Sequence, residues 1–142
     1  LRLQNSVRGL IQSGLCQSAH DLSEGGLACA LAECCLAGPV VFGAEVNLPT
    51  HQRLDVTLFN ESQSRALVSV PAVDVDQALA LLRSYGVAAE CIGHVARQDS
   101  NDTLTLHTYK RMLRFKLSDL REDWADSLAQ IMQHEDTSSE SA

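Results

Sequence analysis

Residues 18–37 read Ser18-Ala19-His20-Asp21-Leu22-Ser23-Glu24-Gly25-Gly26-Leu27-Ala28-Cys29-Ala30-Leu31-Ala32-Glu33-Cys34-Cys35-Leu36-Ala37. A short extended piece, Cys16 to His20, leads into a turn with two adjacent glycines. The turn opens a run from Gly26 to Ala37 that is apolar nearly all round. A helix of that kind is normally buried. Ser23 is a good N-cap for it, and Asp21 and Glu24 stand near its positive end. Gly38-Pro39 stops the helix. The stretch therefore reads as a strand handing over to a core helix through a tight polar turn.

The pattern continues on both sides. Upstream, Leu3, Val7, Leu10 and Ile11 fall at helical spacing, and Gly14 ends that helix as a left-handed cap. Downstream, Val40-Val41-Phe42 and Ala44 to Leu48 read as strands, and Gln52 to Phe59 as a weak helix. Ala66 to Val70 is an apolar strand ended by Pro71. Asp74 is placed to cap an amphipathic helix with Val75, Leu79 and Leu82 on one face, closed by Gly86. Ala88 to Val95 reads as a strand interrupted at Gly93, and Gln98 to Asp102 as a polar turn. Thr103 to His107 and Met112 to Leu117 are two further strands. Asp119 with Glu122 forms a capping box for a last helix, with Leu120, Trp124, Leu128 and Ile131 on one face. The sum is an α/β (α+β) fold, a three-layer mixed β-sheet with helices packed on its faces. Residues 1–133 form one domain. From His134 the chain is polar and acidic without periodicity, so residues 134–142 read as a disordered tail.

Composition bounds the function. The 142 residues carry a net charge of −7, with 45% apolar and 20% charged residues. That is ordinary globular usage, and it argues against nucleic-acid binding, which needs a basic footprint. No apolar run reaches the length of a membrane span; the longest, Gly26 to Gly38, is interrupted by Glu33. The chain opens at Leu1-Arg2-Leu3, already in a helical pattern, and is expected to be cut from a longer protein. The five cysteines (Cys16, Cys29, Cys34, Cys35, Cys91) include no C-x-x-C pair, and the histidines show no ligand spacing. Reduced core thiols of a cytoplasmic protein are the expectation.

Two segments carry candidate chemistry. In the turn His20 to Leu27, free backbone N–H groups at a helix start suit an anion. Gly25 and Gly26 permit close approach of a ligand. Asp21 could hold a divalent cation that in turn holds phosphate, and Ser23 could bond a phosphate oxygen. Equally, Ser23 could only cap and the glycines only turn the chain. A hydrolytic triad from His20, Asp21 and Ser23 is disfavoured, because three residues packed into one turn can hardly take its geometry. In the second segment, Phe59-Asn60-Glu61-Ser62-Gln63-Ser64-Arg65, Glu61 and Gln63 are same-side neighbours if the piece is extended. They could bond ribose or amide groups, with Arg65 pairing a carboxylate or phosphate. The alternative is a polar loop with an Arg–Glu contact.

Both segments match a known pattern. Ser18 to Glu33 resembles S-A-H-D-x-S-x-G-G-L-A-x-A-L-A-E, and Leu58 to Val70 resembles L-F-G-E-x-Q-S-R-x-L-V-S-V. These stretches belong to the phosphoribosylformylglycinamidine synthases. Gly93 to Val95 and the aromatic Trp124 fall where that family has a Gly-x-Val step and a terminal helix. The resemblance runs from about Leu1 to Gln133. It is to the C-terminal domain of the second copy of the aminoimidazole ribonucleotide (AIR) synthetase-like unit in these enzymes, because H-D-x-S-x-G-G-L differs from the first copy's Q-D-M-G-A-A-G-L-like turn. The superfamily also includes selenophosphate synthetase and thiamine-monophosphate kinase.

The resemblance implies an ATP-dependent ligase of purine biosynthesis. It converts formylglycinamide ribonucleotide and glutamine-derived ammonia to the amidine. It implies Mg2+ and ATP or ADP, with Asp21 on the metal and Ser23, Gly25 and Gly26 at the nucleotide. Glu61, Ser62 and Gln63 match the run that contacts substrate in the first copy. Asn60 replaces a common Gly and is expected to keep the loop by accepting a left-handed backbone. No catalytic residue is assigned to this chain, which is expected to be structural, nucleotide-contacting and inactive alone. The implied partners are the remaining domains of the same synthase, its glutaminase subunit and its small accessory subunit, in the cytoplasm, with no nucleic acid and no membrane. The alternatives are a binding or oligomerisation module with a vestigial site, or another ATP-using enzyme of the superfamily.

Overall fold

A computed structural model of the chain describes residues 1–48, 53–96 and 102–124. Helix α1 (Arg2–Gln12) turns Ser6, Gly9 and Leu10 inward and is followed by Gly14 at φ +72°. Strand β1 (Ser18–Asp21) leads to helix α2 (Gly26–Leu36). Then come β2 (Ala44–Leu48), the short helix α3 (Leu54–Phe59) and β3 (Ala66–Ser69). A 3-10 turn (Ala72–Asp74) precedes α4 (Val75–Ser84), which is followed by β4 (Gly93–Val95), β5 (Thr103–Thr108) and β6 (Met112–Lys116). Residues 117–124 are helical.

The fold is mixed α/β, as the alternation of patterns implies. The described strands divide between two sheets. β1 and β3 form an antiparallel pair with Ser18 opposite Ser69 and Asp21 opposite Ala66. The other sheet has the order β4-β2-β5-β6, with β2 and β5 parallel and the outer pairs antiparallel. The long stretch between β2 and β5 permits that parallel pairing, which needs a crossover connection.

The main core lies between α2 and the four-stranded sheet. Leu27 and Leu31 of α2, four residues apart, face Val46 and Leu48 of β2 and Leu104 and Leu106 of β5, which alternate at the strand period. Leu58 of α3 and Leu117 close the ends of this cluster. A second cluster joins Leu10 and Leu15 to Ala78 and Leu82 of α4, with Val68 and Val70 against it. Fully burying each such side chain contributes roughly 1.5–3 kcal/mol.

Several local expectations are corrected. Residues 40–42 are not a strand. The Phe42 N–H bonds the Cys35 carbonyl at 3.2 Å, so the segment satisfies the end of α2 instead of a ladder. Of Ala88 to Val95, Gly93–Val95 is strand; Ala88, Ala89 and Glu90 are exposed and precede the first backbone bond to β2, from the Asn47 N–H to the Ile92 carbonyl. Asp74 occupies the N-cap position of α4 but its side chain makes no cap bond, and Ala78 and Leu82 take the buried face. The capping box at Asp119 and Glu122 does not form, since the helix already begins at Leu117. That residue is 1% exposed, and its N–H bonds the Asp102 carbonyl at 2.9 Å. Core burial at Leu117 thus sets the helix start two residues before Asp119. Gln52, Gln98, Leu128, Ile131 and the tail from His134 lie outside the described residues.

Among the described residues, the apolar helix α2 keeps a side open to solvent, where Cys29 and Glu33 are exposed. The cysteines follow the same division. All five are free, but Cys29 and Cys91 are exposed and Cys35 is buried. Burial pushes the Cys35 thiol up to about 11. Alkylation of the native protein at neutral pH should therefore label Cys29 and Cys91 first and Cys35 last, with all five reacting after denaturation. Labelling of Cys35 as fast as Cys29 would contradict the packing of α2.

Candidate functional site

The turn between β1 and α2 is pinned at its centre by Leu22, buried in the core. On either side, Asp21, Ser23 and Glu24 are exposed. Neither the Asp21 carboxylate nor the Ser23 hydroxyl has a partner among the described residues. Ser23 is therefore not the N-cap. That position falls to Gly25, at φ +73°, and Gly26 follows at φ +63°. Two successive left-handed residues carry the chain past the place where a serine could reach the helix amides. Gly26 also faces the end of α3. A Cβ there would lie 2.8 Å from the Leu58 carbonyl oxygen and 2.9 Å from that of Asn60.

The second segment folds against this turn as a loop, not as an extended piece. Asn60 accepts the Ser62 N–H at 2.8 Å and also the Ser62 hydroxyl. Asn60 itself has φ −72°, and the left-handed residue is Ser64 at φ +64°. The chain thus turns four residues later than the Asn-for-Gly exchange suggests, and Asn60 is used for its side-chain acceptor. Arg65 donates through Nη1 to the Asn60 carbonyl at 3.2 Å, and its own carbonyl accepts the Leu22 N–H at 3.1 Å. Ser62 and Gln63 are exposed.

Besides the Leu22–Arg65 backbone bond, one side-chain bond joins the two segments. Glu61 Oε1 accepts the Gly25 N–H at 2.8 Å, across 36 residues of sequence. Its carboxylate stands where the positive end of α2 favours an anion. His20 is held elsewhere: Nδ1 is 2.6 Å from the Asp21 carbonyl oxygen and Nε2 is 3.0 Å from Glu33 Oε2 of α2. It braces β1 on α2 and makes no hydrogen bond to the Ser23 hydroxyl.

A second polar cluster is not legible in the sequence. On the sheet face opposite α2, Glu45 of β2 lies 2.6 Å from His107 Nε2 and 3.6 Å from His94 Nε2. Glu45, Thr105, His107 and Arg114 help line a shallow recess of about 200 Å³. These histidines look scattered in the sequence; strand register alone brings them to one carboxylate. Among the described residues, no cluster of three or more His, Cys, Asp or Glu could hold a metal ion, and no helix is long and apolar enough to cross a membrane.

A family model described as AIR synthase related protein, C-terminal domain, matches residues 2–104. The chain belongs to this family. Among curated relatives, the phosphoribosylformylglycinamidine synthase subunit PurL of Caldanaerobacter subterraneus subsp. tengcongensis is 42% identical over 87% of this chain and 16% of its own length. The PurL subunit of Moorella thermoacetica is 39% identical over 92% of this chain and 17% of its own length. The chain therefore spans about a sixth of these relatives. Two solved structures share the fold. Thermotoga maritima PurL complexed with FGAR superposes with a TM-score of 0.71 at 20% identity, over 84% of this chain and 20% of that one. The same protein complexed with ADP gives 0.70 at 18% identity, over 82% and 20%. The family match covers the turn, the loop and the strands up to the start of β5.

Proposed function

We propose that this chain is the C-terminal domain of the second AIR synthetase-like unit in a phosphoribosylformylglycinamidine synthase, and that it contributes a magnesium–nucleotide contact and no catalytic group. The observation that carries the reading is the Gly25–Glu61 bond. It makes one site of the two motifs on which the family resemblance rests, in a chain 42% identical to a PurL subunit over most of its length. The whole enzyme would use ATP to activate the formamide oxygen of formylglycinamide ribonucleotide. Ammonia from a glutaminase partner would then displace phosphate, in the cytoplasm, with a small accessory subunit and the remaining domains of the same chain completing the assembly.

The residues fit a magnesium nucleotide in part. Asp21 offers an exposed carboxylate for the metal and Ser23 a hydroxyl for a phosphate oxygen, both without a partner among the described residues. Gly25 offers its N–H at the same place, held here by Glu61, whereas Gly26 is buried against the Leu58 and Asn60 carbonyls and serves the turn. A single carboxylate does not make a metal site, so the remaining ligands would be phosphate oxygens, water and groups outside this chain. The cation would offset phosphate charge beside Asp21 and Glu24. Glu61, Ser62 and Gln63 form the loop edge that would meet the substrate or the nucleotide.

Calorimetry of the full-length protein with magnesium and ADP tests the assignment. Asp21→Asn should weaken binding about tenfold or more, the scale of a lost interaction with a charged group. Ser23→Ala should weaken it less and, having no cap bond to lose, change unfolding free energy by under about 0.5 kcal/mol. An Asp21→Asn protein that binds as tightly as the parent removes the basis for a metal at this turn.

A further inference from the structure

We propose that Glu61 is a built-in competitor for the anion position at the start of α2: its carboxylate holds the Gly25 N–H until a phosphate displaces it, and that exchange releases the loop 60–65. The proposal rests on the nucleotide reading above and adds a regulation of that same site. An isolated helix start favours any anion. Here the place is already taken by a carboxylate from another segment, at the 2.8 Å expected of a charge-assisted bond. A ligand phosphate and Glu61 cannot both accept that one N–H with full geometry, and their charges repel.

The remaining links between loop and turn are of another kind. The Leu22 N–H to Arg65 carbonyl bond continues the β1–β3 pairing, and Gly26 packs on the carbonyls of Leu58 and Asn60. These are backbone contacts at a buried glycine and a buried leucine. Glu61 is exposed and makes its contact through a rotatable side chain. Its displacement therefore leaves the fold intact while removing the strap across the solvent side of the turn. The local charge points the same way. Segments 21–26 and 60–65 carry Asp21, Glu24 and Glu61 against the single cation Arg65. Ejecting Glu61 relieves the excess negative charge as phosphate arrives. By reciprocity, any ligand that draws Glu61 into the loop's own contacts makes phosphate binding at the turn easier.

Cys29 supplies a local reporter in the full-length protein. It is exposed, and a Cβ on Gly25 would fall 2.1 Å from its sulfur, so the thiol lies over the turn. The rate of Cys29 alkylation, read by mass spectrometry of its peptide, is followed against magnesium-ADP concentration. Glu61→Gln keeps the side-chain shape and removes the charge; Glu24→Gln removes a charge from the same turn but no bond to Gly25. The half-protecting concentration should fall about fivefold in Glu61→Gln, whose amide oxygen can still accept the Gly25 N–H but lacks the charge that strengthens that bond, and much less in Glu24→Gln. Protection in Glu61→Gln with none in the parent supports the proposal equally. A protected parent with an unchanged or raised value in Glu61→Gln, or an equal fall in Glu24→Gln, overturns the competition and leaves the nucleotide reading standing. No protection in either the parent or Glu61→Gln overturns both.

Discussion

Leu106→Ala should lower the unfolding free energy by about 3–4 kcal/mol, within the range for a buried leucine whose cavity cannot collapse. Leu106 is 2% exposed, and β5 is flanked by β2 and β6. It stands opposite Val46 on one side and Leu113 on the other, beneath α2. Strands on both sides hold the backbone, so the space left by three carbons and their hydrogens stays open. Leu106→Met, which conserves volume, should cost less than about 1.5 kcal/mol. Urea unfolding followed by circular dichroism separates the two variants. A loss under about 1 kcal/mol for the alanine would mean that β5 does not sit at the centre of the core.

Gly26→Ala is expected to be nearly as damaging, through backbone and not through burial. The residue has φ +63°, where a Cβ costs roughly 1–2 kcal/mol. That Cβ would also lie 2.8 and 2.9 Å from two carbonyl oxygens of the chain leaving α3. Carbonyls fixed in backbone cannot turn aside as a side chain can, so overpacking adds about 1–3 kcal/mol. The combined loss should be about 3 kcal/mol, with the first turn of α2 and the loop 60–65 loosened together. The same denaturation experiment, joined with amide exchange over residues 25–29 and 60–65, checks this. Parental stability and exchange in Gly26→Ala would show that α2 does not start against α3.

The candidate site was half legible. The glycine pair, the acidic residue at the strand end and the E-S-Q run are visible because each is a local cluster of residue types with few structural uses. Their union is not visible. Glu61 reaches Gly25 because β1 pairs with β3, which brings the residues after Asp21 beside those before Ala66. Ser23 misled for the same reason. Serine just ahead of a helix is a strong cap signal, but the left-handed conformation of Gly25 and Gly26 took the Ser23 hydroxyl out of reach and an outside carboxylate took its place. Glu45 with His94 and His107 gave no signal at all, since nothing local relates three residues on three strands.

The sequence by itself determined the elements: their types and most of their order follow from the spacing of apolar residues and the placement of Gly and Pro, which act over a few bonds. It placed α1, α2, α4, β5 and β6 within a residue or two, and its two long motifs identified the family. The tertiary structure decided the pairing of strands into two sheets, where helices begin, and which thiols face solvent. Leu117 starts its helix because the core takes its side chain, and Cys29 is exposed because it lies on α2 away from the buried face of Leu27 and Leu31. Such outcomes depend on contacts between residues tens of positions apart, whose energies are set by burial and register and leave no periodic trace in the chain.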